Sequence, residues 1–329
     1  MLTFDPREQS VRENHQLLLN FVAPRPIALV STISGDGINN LSPFSFFNAF
    51  GANPPMVAFS PARRGRDNTV KDTYTNLNIT RECVIHAVTY DILEQINLAS
   101  AEFPSDTDEI EIAGFTTYDS DIVKPKRIKE SPFHMECKLH TMLELGGKNG
   151  SGNLAVCEVV KFHVAEDLWR NGKVDPDMID LMGRNGGNYY TRASGEAILE
   201  LDKPTHANSI GYKKLPEYIK SSHLYTANNI GRFALTDHIP TKDEVIEFID
   251  PLLNNEAFYS LESFYRFEKK KDYENMLKAA LFLYQSGEKM AEGFFRRTAK
   301  IAIEDHNDDF AWKVAVFDDL KNDSDFKGE

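Results

Sequence analysis

Long hydrophobic runs are missing from this chain of 329 residues. No stretch approaches the roughly 18 consecutive apolar residues that a membrane span requires. The amino-terminal sequence MLTFDPREQSVREN also lacks the basic and then apolar order of a secretory signal peptide. We therefore expect a protein that has no membrane association and is located in the cytoplasm.

Cysteine is scarce, with only three residues, Cys83, Cys137 and Cys157. They lie far apart in apolar, strand-like runs, and their odd number and wide spacing support neither a disulfide framework nor a zinc motif. His134 and His140 lie on either side of Cys137 at spacings that suit alternation along a strand rather than convergence on a metal. The sequence therefore predicts buried free thiols and no metal site.

Positive charge is in deficit, because 37 Lys and Arg residues face 50 Asp and Glu residues and the formal net charge is −13. This balance argues against a nucleic-acid surface, which needs a basic stripe. One anionic ligand is still allowed, since nearby donors outweigh distant screened charge. The motifs G-x-G-x-x-G, G-x-x-x-x-G-K-[ST] and G-x-S-x-G are absent as well, so Rossmann, P-loop and nucleophile-elbow sites have no support.

Short apolar runs broken by turn residues fill the chain from Phe21 to about Val160, which is typical of an antiparallel β domain. Two segments have the composition of hairpin turns between such strands, SGDG at 34–37 and the glycine-rich GGKNGSG at 146–152. Two helices are expected at 68–80 and 90–101, the second with Asp91 as its N-cap. The predicted strands are 26–33, 40–50, 56–60, 83–88, 134–145 and 154–165.

The character of the sequence changes after Lys203 and Pro204. Apolar residues then recur at helical intervals, which predicts helices at 243–253, 256–270 and 273–304, followed by a frayed end at 317–329. The predicted fold class is therefore mainly β with helices (α+β). Its β domain would occupy residues 1–204, and a helical C-terminal extension of unknown role would occupy residues 205–329.

Basic and polar residues at strand ends are the candidates for a binding site. Arg25 lies between two prolines that restrict its backbone and could hold its guanidinium in place, although for Arg25 taken alone a surface ion pair is the preferred explanation. Lys71, Asp72 and Thr73 follow a basic loop at the start of a predicted helix, where an ammonium, a hydroxyl and helix N–H groups suit a terminal phosphate. Ordinary helix capping by Asp72 or Thr69 is the alternative.

Small polar and large aromatic residues alternate in NLSPFSFFNAF at 40–50. Ser42, Ser45 and Asn48 together with the neighbouring phenylalanines would form a surface for a flat, polar-edged ring. A core strand of aromatic residues is the other interpretation of this segment.

Six sequence blocks occur in an order that resembles one family. They are APRPIALVST at 23–32, NLSPFSFFNAF at 40–50, NPPMVAFSP at 53–61, KDTYTN at 71–76, SPFHMEC at 131–137 and MGRNGGNYY at 182–190. Over about residues 14–202 the chain resembles the flavin reductase-like, FMN-binding split-barrel proteins. The resemblance implies a six-stranded, Greek-key-like split β-barrel that forms a homodimer, with flavin near the subunit interface.

The resemblance also implies site residues. Those expected to bind the cofactor are Arg25, Ser31 and Thr32 near the flavin, Ser45, Phe46, Phe47 and Asn48 facing its isoalloxazine ring, Lys71, Asp72 and Thr73 at the phosphate, and Arg184 and Tyr190 on a later loop. No catalytic residue is assigned, because the cofactor carries the difficult chemistry and hydride transfer needs no acid or base.

The implied function is that of an FMN-binding oxidoreductase, a flavoprotein that passes hydride from NADH or NADPH to flavin and onward to a small-molecule acceptor or a partner enzyme such as a monooxygenase. One alternative is a non-catalytic flavin-binding protein whose helical tail recruits a partner. Another is a barrel adapted to pyridoxal phosphate or haem, because a fold alone does not define a ligand. The tail beyond about residue 206 is longer than the family's usual ending.

Overall fold

A computed structural model of the protein describes residues 1–201, 209–253 and 257–321. The chain divides into two compact units, Met1–Glu200 and Leu201–Glu329. The predicted domain boundary between residues 204 and 205, and the predicted fraying of residues 322–329, lie outside the described residues. None of the described helices combines the length and the apolar composition that crossing a bilayer requires.

The described strands all belong to the first unit. They are β1 (Arg25–Pro26), β2 (Ala28–Ile33), β3 (Asn39–Phe44), β4 (Phe47–Ala52), β5 (Pro55–Phe59), β6 (Glu82–His86), β7 (Thr117–Tyr118), β8 (Arg127–Ile128), β9 (Phe133–Glu144), β10 (Asn153–Val164), β11 (Trp169–Arg170), β12 (Lys173–Val174), β13 (Leu181–Arg184) and β14 (Tyr190–Ala193). The predicted strands other than 40–50 are confirmed with small shifts at their ends.

Helices are found in both units. Those of the first unit are α1 (Val11–Phe21), α2 (Asp72–Thr80), α3 (Leu93–Ala99) and α4 (Glu109–Ile112). Those of the second unit are α5 (Gly211–Lys214), α6 (Glu217–Lys220), α7 (Ala227–Phe233), α8 (Lys242–Leu253), α9 (Leu261–Lys269), α10 (Tyr273–Gln285), α11 (Phe294–Glu304) and α12 (Asp308–Leu320). The prediction of a mainly β protein with a helical C-terminal region is confirmed.

Seven strands form one antiparallel sheet in the order β3-β2-β6-β9-β10-β5-β4. Its two edge strands, β3 and β4, are separated along the chain only by Ser45 and Phe46. A flat sheet with six strand spacings of roughly 4.8 Å would hold its edges about 29 Å apart, whereas so short a link spans at most about 11 Å. The sheet must therefore curl until its edges meet, which makes it a barrel.

The predicted single strand at 40–50 is wrong, because the chain bends at Ser45 and Phe46 and pairs with a different neighbour on each side. Before the bend β3 pairs with β2, and after it β4 pairs with β5. Counted as one bent strand, this segment restores the six strands implied by the resemblance. The ring centroids of Phe44 on β3 and Phe59 on β5 are 5.3 Å apart, so these two strands are in contact where the barrel closes.

Apolar side chains fill the barrel interior. Phe59, Cys83, Cys137 and Cys157 belong to one buried cluster within the sheet. All three cysteines are free and buried, so the prediction of buried free thiols is confirmed. A hydrogen bond with Cys83, and next burial, raises the pKa of Cys157, and a hydrogen bond with Cys137 raises the pKa of Cys83.

Helix boundaries differ from the sequence predictions in the first unit. Asp91 is not an N-cap, because a short 3₁₀ turn at Tyr90–Ile92 precedes α3 and no side chain caps either element. Helix α1, which the sequence analysis did not anticipate, begins with a capping box between Ser10 and Glu13. The hairpins at 34–37 and 146–152 are confirmed, and Gly37 adopts the left-handed backbone (φ +89°) that its turn needs.

In the second unit the predicted helix at 273–304 is interrupted. The chain leaves α10 after Gln285, turns through Gly287 at a positive φ of 77°, and starts α11 only at Phe294. The frayed end predicted from residue 317 is also wrong up to Leu320, where α12 is helical. Its apolar residue Phe317 is buried, which explains why an acidic sequence stays ordered there.

The second unit contains two similar helical hairpins, α9–α10 and α11–α12, whose second helices begin 35 residues apart in the sequence. The turn between α9 and α10 has Lys271 in the left-handed region (φ 56°), and the turn between α11 and α12 has His306 there (φ 63°). The next residue caps the second helix in each case, Asp272 for α10 and Asn307 for α12. These matching turns explain the two antiparallel helix pairs.

Candidate functional site

A groove runs between β3 and the segment that follows α3. At one end is a cavity of about 200 Å³ and at the other a cavity of about 20 Å³. Ser42 and Pro43, adjacent on β3, line one cavity each, and so do Ser100 and Ala101 after α3. The two cavities are therefore neighbours along both walls, and we call them together the β3–α3 groove.

The larger end of the β3–α3 groove brings together three predicted site residues, Ser45, Arg184 and Tyr190. Arg184 and Tyr190 are opposite each other on β13 and β14, and the guanidinium carbon lies 4.4 Å from the ring centroid. Arg184 also donates to the Gly187 carbonyl at 2.7 Å. This end thus presents a stacked cation and ring beside a hydroxyl group.

Arg25 is hydrogen-bonded to Ser45 at this end of the groove. It is almost fully buried, and its guanidinium donates to the carbonyls of Leu19, Val22 and Asn185 and to the Ser45 hydroxyl at 3.3 Å. A surface ion pair, the alternative considered for Arg25, is therefore wrong. Burial, and next the charge of Arg184, lowers the pKa of Arg25.

The smaller end of the groove is lined by Lys71, Asp72 and Thr73 at the start of α2. Lys71 occupies the N-cap position and no side chain caps the helix, so capping by Asp72 or Thr69 is wrong. Within the described ranges the half-buried Lys71 ammonium has neither a hydrogen bond nor an ion pair, and burial lowers its pKa, helped by the nearby Arg64. This end therefore combines an unpaired cation with free helix-start N–H groups.

A buried polar network holds α2 against the barrel. Asn40 on β3 accepts hydrogen bonds at Oδ1 from Thr32 (3.1 Å) and Thr73 (2.8 Å), and Asn76 donates to the Thr32 hydroxyl at 3.1 Å. The Asn40 amide donates to both carboxylate oxygens of Glu109, at 2.8 and 2.9 Å. Thr32 and Thr73 thus direct their hydroxyl protons into the protein.

The other predicted residues lie apart from the groove. Ser31 is buried and donates to the Lys126 carbonyl at 2.6 Å. Phe46 is exposed beside Arg25, and Asn48 is exposed with its oxygen on the Ala49 N–H. Phe47 lines a separate, largely apolar cavity of about 540 Å³ at the β1–β13 side of the barrel. Of the four residues expected to face a ring, only Ser45 lines the groove.

Sequence reasoning did not identify three of the groove's polar residues, Arg64, Glu102 and Glu109. Arg64 was seen only as part of a basic loop, and the two glutamates sit in the acidic stretch AEFPSDTDEIEI. Glu109 was detectable in principle as a carboxylate between apolar residues at the start of a helix. Its partner Asn40 is 69 residues away, so no local pattern reveals the contact.

One further cluster in the described residues has metal-binding atom types: Asp121, Glu136 and His163. Both oxygens of the buried Glu136 already accept backbone N–H groups of the 121–123 segment, and Oε1 also bonds His163 at 2.7 Å. Lys161 forms an ion pair with Asp121. The carboxylate oxygens are thus already bonded to backbone N–H groups, His163 and Lys161. The cluster therefore has a structural role, in which it joins β9, β10 and the adjoining loop.

The first unit is a closed β-barrel with a polar groove beside β3, and comparison with known proteins identifies its family. Residues 22–178 match the family model described as flavin reductase like domain. An uncharacterized protein of Halalkalibacterium halodurans is 36% identical over 206 residues, covering 62% of this chain and 97% of that relative. The chain belongs to the flavin reductase-like family.

Solved structures agree on the fold. Nitrilotriacetate monooxygenase component B from Bacillus cereus has a TM-score of 0.58 at 32% identity and covers 61% of this chain and 98% of its own. The 2-nitrobenzoate 2-nitroreductase NbaA of Pseudomonas fluorescens has a TM-score of 0.57 at 27% identity, covering 64% of this chain and 100% of its own. A putative flavin reductase with a split barrel domain from Shewanella frigidimarina has a TM-score of 0.52 at 23% identity, covering 61% and 100%. The predicted split-barrel fold is confirmed.

Glu109 provides a pH test of the buried network. Burial raises the pKa of Glu109 above its ordinary value of 4.5, although hydrogen bonds from Leu41 and Asn40 oppose the shift. Because the folded-state pKa is the higher one, the stability contributed by the protonated carboxyl is lost as pH rises through that pKa. We expect the free energy of unfolding of the wild type, relative to Glu109→Gln, to fall in urea titrations as pH rises above the ordinary Glu pKa of 4.5. A difference that does not change with pH would contradict this assignment.

Proposed function

We propose that this protein is an FMN-binding oxidoreductase that passes hydride from NADH or NADPH to flavin and onward to an acceptor. Membership of the flavin reductase-like family supports the reaction type. The observation that carries the proposal is the unpaired Lys71 ammonium beside the uncapped start of α2, at one end of the β3–α3 groove. A half-buried cation without a directly bonded partner is costly, and an anionic ligand would supply that partner.

The two ends of the groove have the chemical groups that suit the two different ends of FMN. A terminal phosphate suits Lys71 and the first N–H groups of α2, because a helix start attracts negative charge. The polar edge of a flat ring suits the opposite end, where Arg184 stacks on Tyr190 and Ser45 offers a hydroxyl. The buried His86 is not free to bind a haem iron, because both of its ring nitrogens are hydrogen-bonded, to the Leu29 carbonyl and the Ile128 N–H.

The residues of this chain position the reaction rather than perform it. FMN, when bound, supplies the ring that takes up and releases the hydride. Lys71 and α2 would hold the phosphate, and the network through Asn40 and Glu109 would keep α2 at a fixed place on β3. Arg25, fixed by backbone carbonyls, would hold Ser45 at the ring end. Positioning of this kind can account for a large part of a rate enhancement.

We also propose a homodimer that covers the open side of the groove. Helix α1 has no buried residue, and with β4 it exposes an apolar α1–β4 patch formed by Leu18, Phe21, Val22, Phe46 and Phe50. Phe21 is 89% exposed and Phe50 67%. The ring centroids of His15 on α1 and Phe46 are 6.3 Å apart, so α1 lies beside the bend, and exposed apolar patches mark interfaces. The patch adjoins the groove, because Arg25 bonds the Val22 carbonyl and the Ser45 hydroxyl.

The recipient of the electrons is proposed to be a small molecule or a partner monooxygenase. The Bacillus cereus neighbour is named as a component of a monooxygenase, and the Pseudomonas fluorescens neighbour as a nitroreductase. Both names fit a reduced flavin whose electrons leave the barrel, and the first favours delivery to a second protein.

The reaction is tested by an anaerobic absorbance spectrum of the FMN-loaded protein before and after NADH, and then after NADPH. We expect flavin bands that bleach with at least one donor. Bands that persist with both donors would exclude the reductase and leave a flavin-binding protein. A protein that retains no added FMN would contradict the proposal as a whole.

Lys71→Ala tests the phosphate end of the groove. We expect FMN affinity to fall about 10- to 100-fold, because charge-assisted hydrogen bonds contribute about 1.5–3 kcal/mol. Lys138→Ala is the matched control, since Lys138 is an exposed lysine on β9 that does not line the groove. Equal dissociation constants for the two variants in fluorescence titrations would place the phosphate elsewhere.

Leu18→Glu combined with Phe50→Glu tests the α1–β4 patch. Two buried charges in a dimer interface would be strongly unfavourable, so sedimentation should change from dimer to monomer and FMN retention should fall. Ile122→Glu introduces a charge at an exposed isoleucine outside the patch and should leave the dimer intact. A wild type that sediments as a monomer with full FMN occupancy would refute the dimer.

A further inference from the structure

Glu102 lies among the cations at the phosphate end of the β3–α3 groove. Its Oε1 accepts a hydrogen bond from Arg64 Nε at 3.2 Å, and its Oε2 accepts one from Arg66 Nη2 at 3.0 Å. The carboxylate also attracts the Lys71 ammonium electrostatically. The hydrogen bond from Arg66 lowers the pKa of Glu102, so this side chain is an anion at neutral pH.

The cavity at this end measures only about 20 Å³. That is room for about one water molecule, since roughly 10–15 Å³ of such volume is needed to hold one. A phosphate group, with four oxygens around phosphorus, does not fit until a lining side chain moves. The identity of that side chain decides what the groove accepts.

The lining residues differ in how firmly they are held. Thr73 and Glu109 are buried in the network around Asn40. Arg64 is held independently of any carboxylate, because its Nη1 donates to the Thr69 hydroxyl at 3.1 Å and to the Val70 carbonyl at 2.6 Å. Each of these three would lose buried or multiple hydrogen bonds by moving.

Glu102 is the lining carboxylate that pairs with the two arginines, and only these surface ion pairs hold it. Its side chain is half exposed, it lies outside any helix or strand, and its hydrogen bonds go only to the two arginine side chains. Exposed ion pairs of this kind contribute little to stability. Rotation of Glu102 into solvent would enlarge the cavity and leave Arg64 in place, with Arg66 free to follow.

We propose that Glu102 occupies the anion-binding position of the groove in the ligand-free protein and is displaced by the ligand's phosphate. The inference rests on the proposed FMN function and adds a specificity-determining residue to it. A phosphate dianion takes over the cations that the single charge of Glu102 holds. A flavin without phosphate gains nothing at this end, so Glu102 makes the groove select for the phosphorylated ligand.

The exchange also gives the arginines of the basic loop a partner before the phosphate binds. With Glu102 in place, the arginines keep an oriented anion partner instead of repelling one another. The Glu102 carboxylate also weakens phosphate binding. It competes with the phosphate for the arginines, and after its displacement it remains near enough to repel the phosphate. Removal of the carboxylate charge should therefore strengthen phosphate binding.

The test compares Glu102→Gln with the wild type in fluorescence titrations with FMN and with riboflavin, which lacks the phosphate, at one ionic strength. We expect Glu102→Gln to bind FMN about three- to tenfold more tightly, since two unit charges about 4 Å apart repel by about 1 kcal/mol even in water. Riboflavin affinity should not change. Glu196→Gln, at an exposed glutamate outside the groove, makes the same charge change and should leave both affinities as in the wild type.

Each other outcome overturns the inference. Unchanged or weaker FMN binding by Glu102→Gln would mean that the carboxylate does not compete and instead orients the arginines. Equal strengthening for FMN and riboflavin would place the effect away from the phosphate. A thermal unfolding midpoint equal to that of the wild type checks that the variant is folded. If the wild type binds no FMN, the proposed function itself fails and the exchange fails with it.

Discussion

Closure of the barrel through the two-residue bend at Ser45 and Phe46 is the constraint on which the site depends. The bend joins opposite edges of a seven-stranded sheet, so the sheet must curl. It also places the Ser45 hydroxyl within hydrogen-bond distance of the buried Arg25, and it leaves Phe46 exposed beside that guanidinium. One wall of the β3–α3 groove is the strand that ends at this bend, so fold closure and site formation share the same residues.

The electrostatics of the groove follow from what is buried and what is free. Glu109 is buried, and its carboxyl oxygens accept hydrogen bonds from Asn40 and from the Leu41 N–H, so it holds the Asn40 side chain that in turn bonds Thr73 of α2. Lys71, placed at the start of that helix, has no direct ion pair among the described residues, whereas Glu102 bonds the two arginines near it at the surface. An acidic protein can thus present a local anion site, because short-range contacts outweigh distant screened charge.

The described part of the second unit is built from paired helices rather than from a sheet. Its two matching turns use Lys271 and His306 in a left-handed conformation that glycine more often adopts. Each is followed directly by a capping residue, so the chain reverses and starts a new helix within a few residues. This explains why helical periodicity in the sequence was visible while the interruption of 273–304 and the helix at Asp308–Leu320 were not.

The sequence by itself determined the strands, the hairpins and the order of the family blocks, because period-two hydrophobicity and turn chemistry are local properties. It also placed Lys71 at a helix start and Ser45 at a polar position among phenylalanines. Only the tertiary structure decided which polar groups are available to a ligand. The hydroxyls of Thr73 and Thr32 donate to Asn40, and the Arg25 guanidinium donates to backbone carbonyls. The Lys71 ammonium, in contrast, has no direct partner in the described residues. Those partners lie up to 160 residues away, so burial and pairing depend on long-range contacts that no local pattern contains.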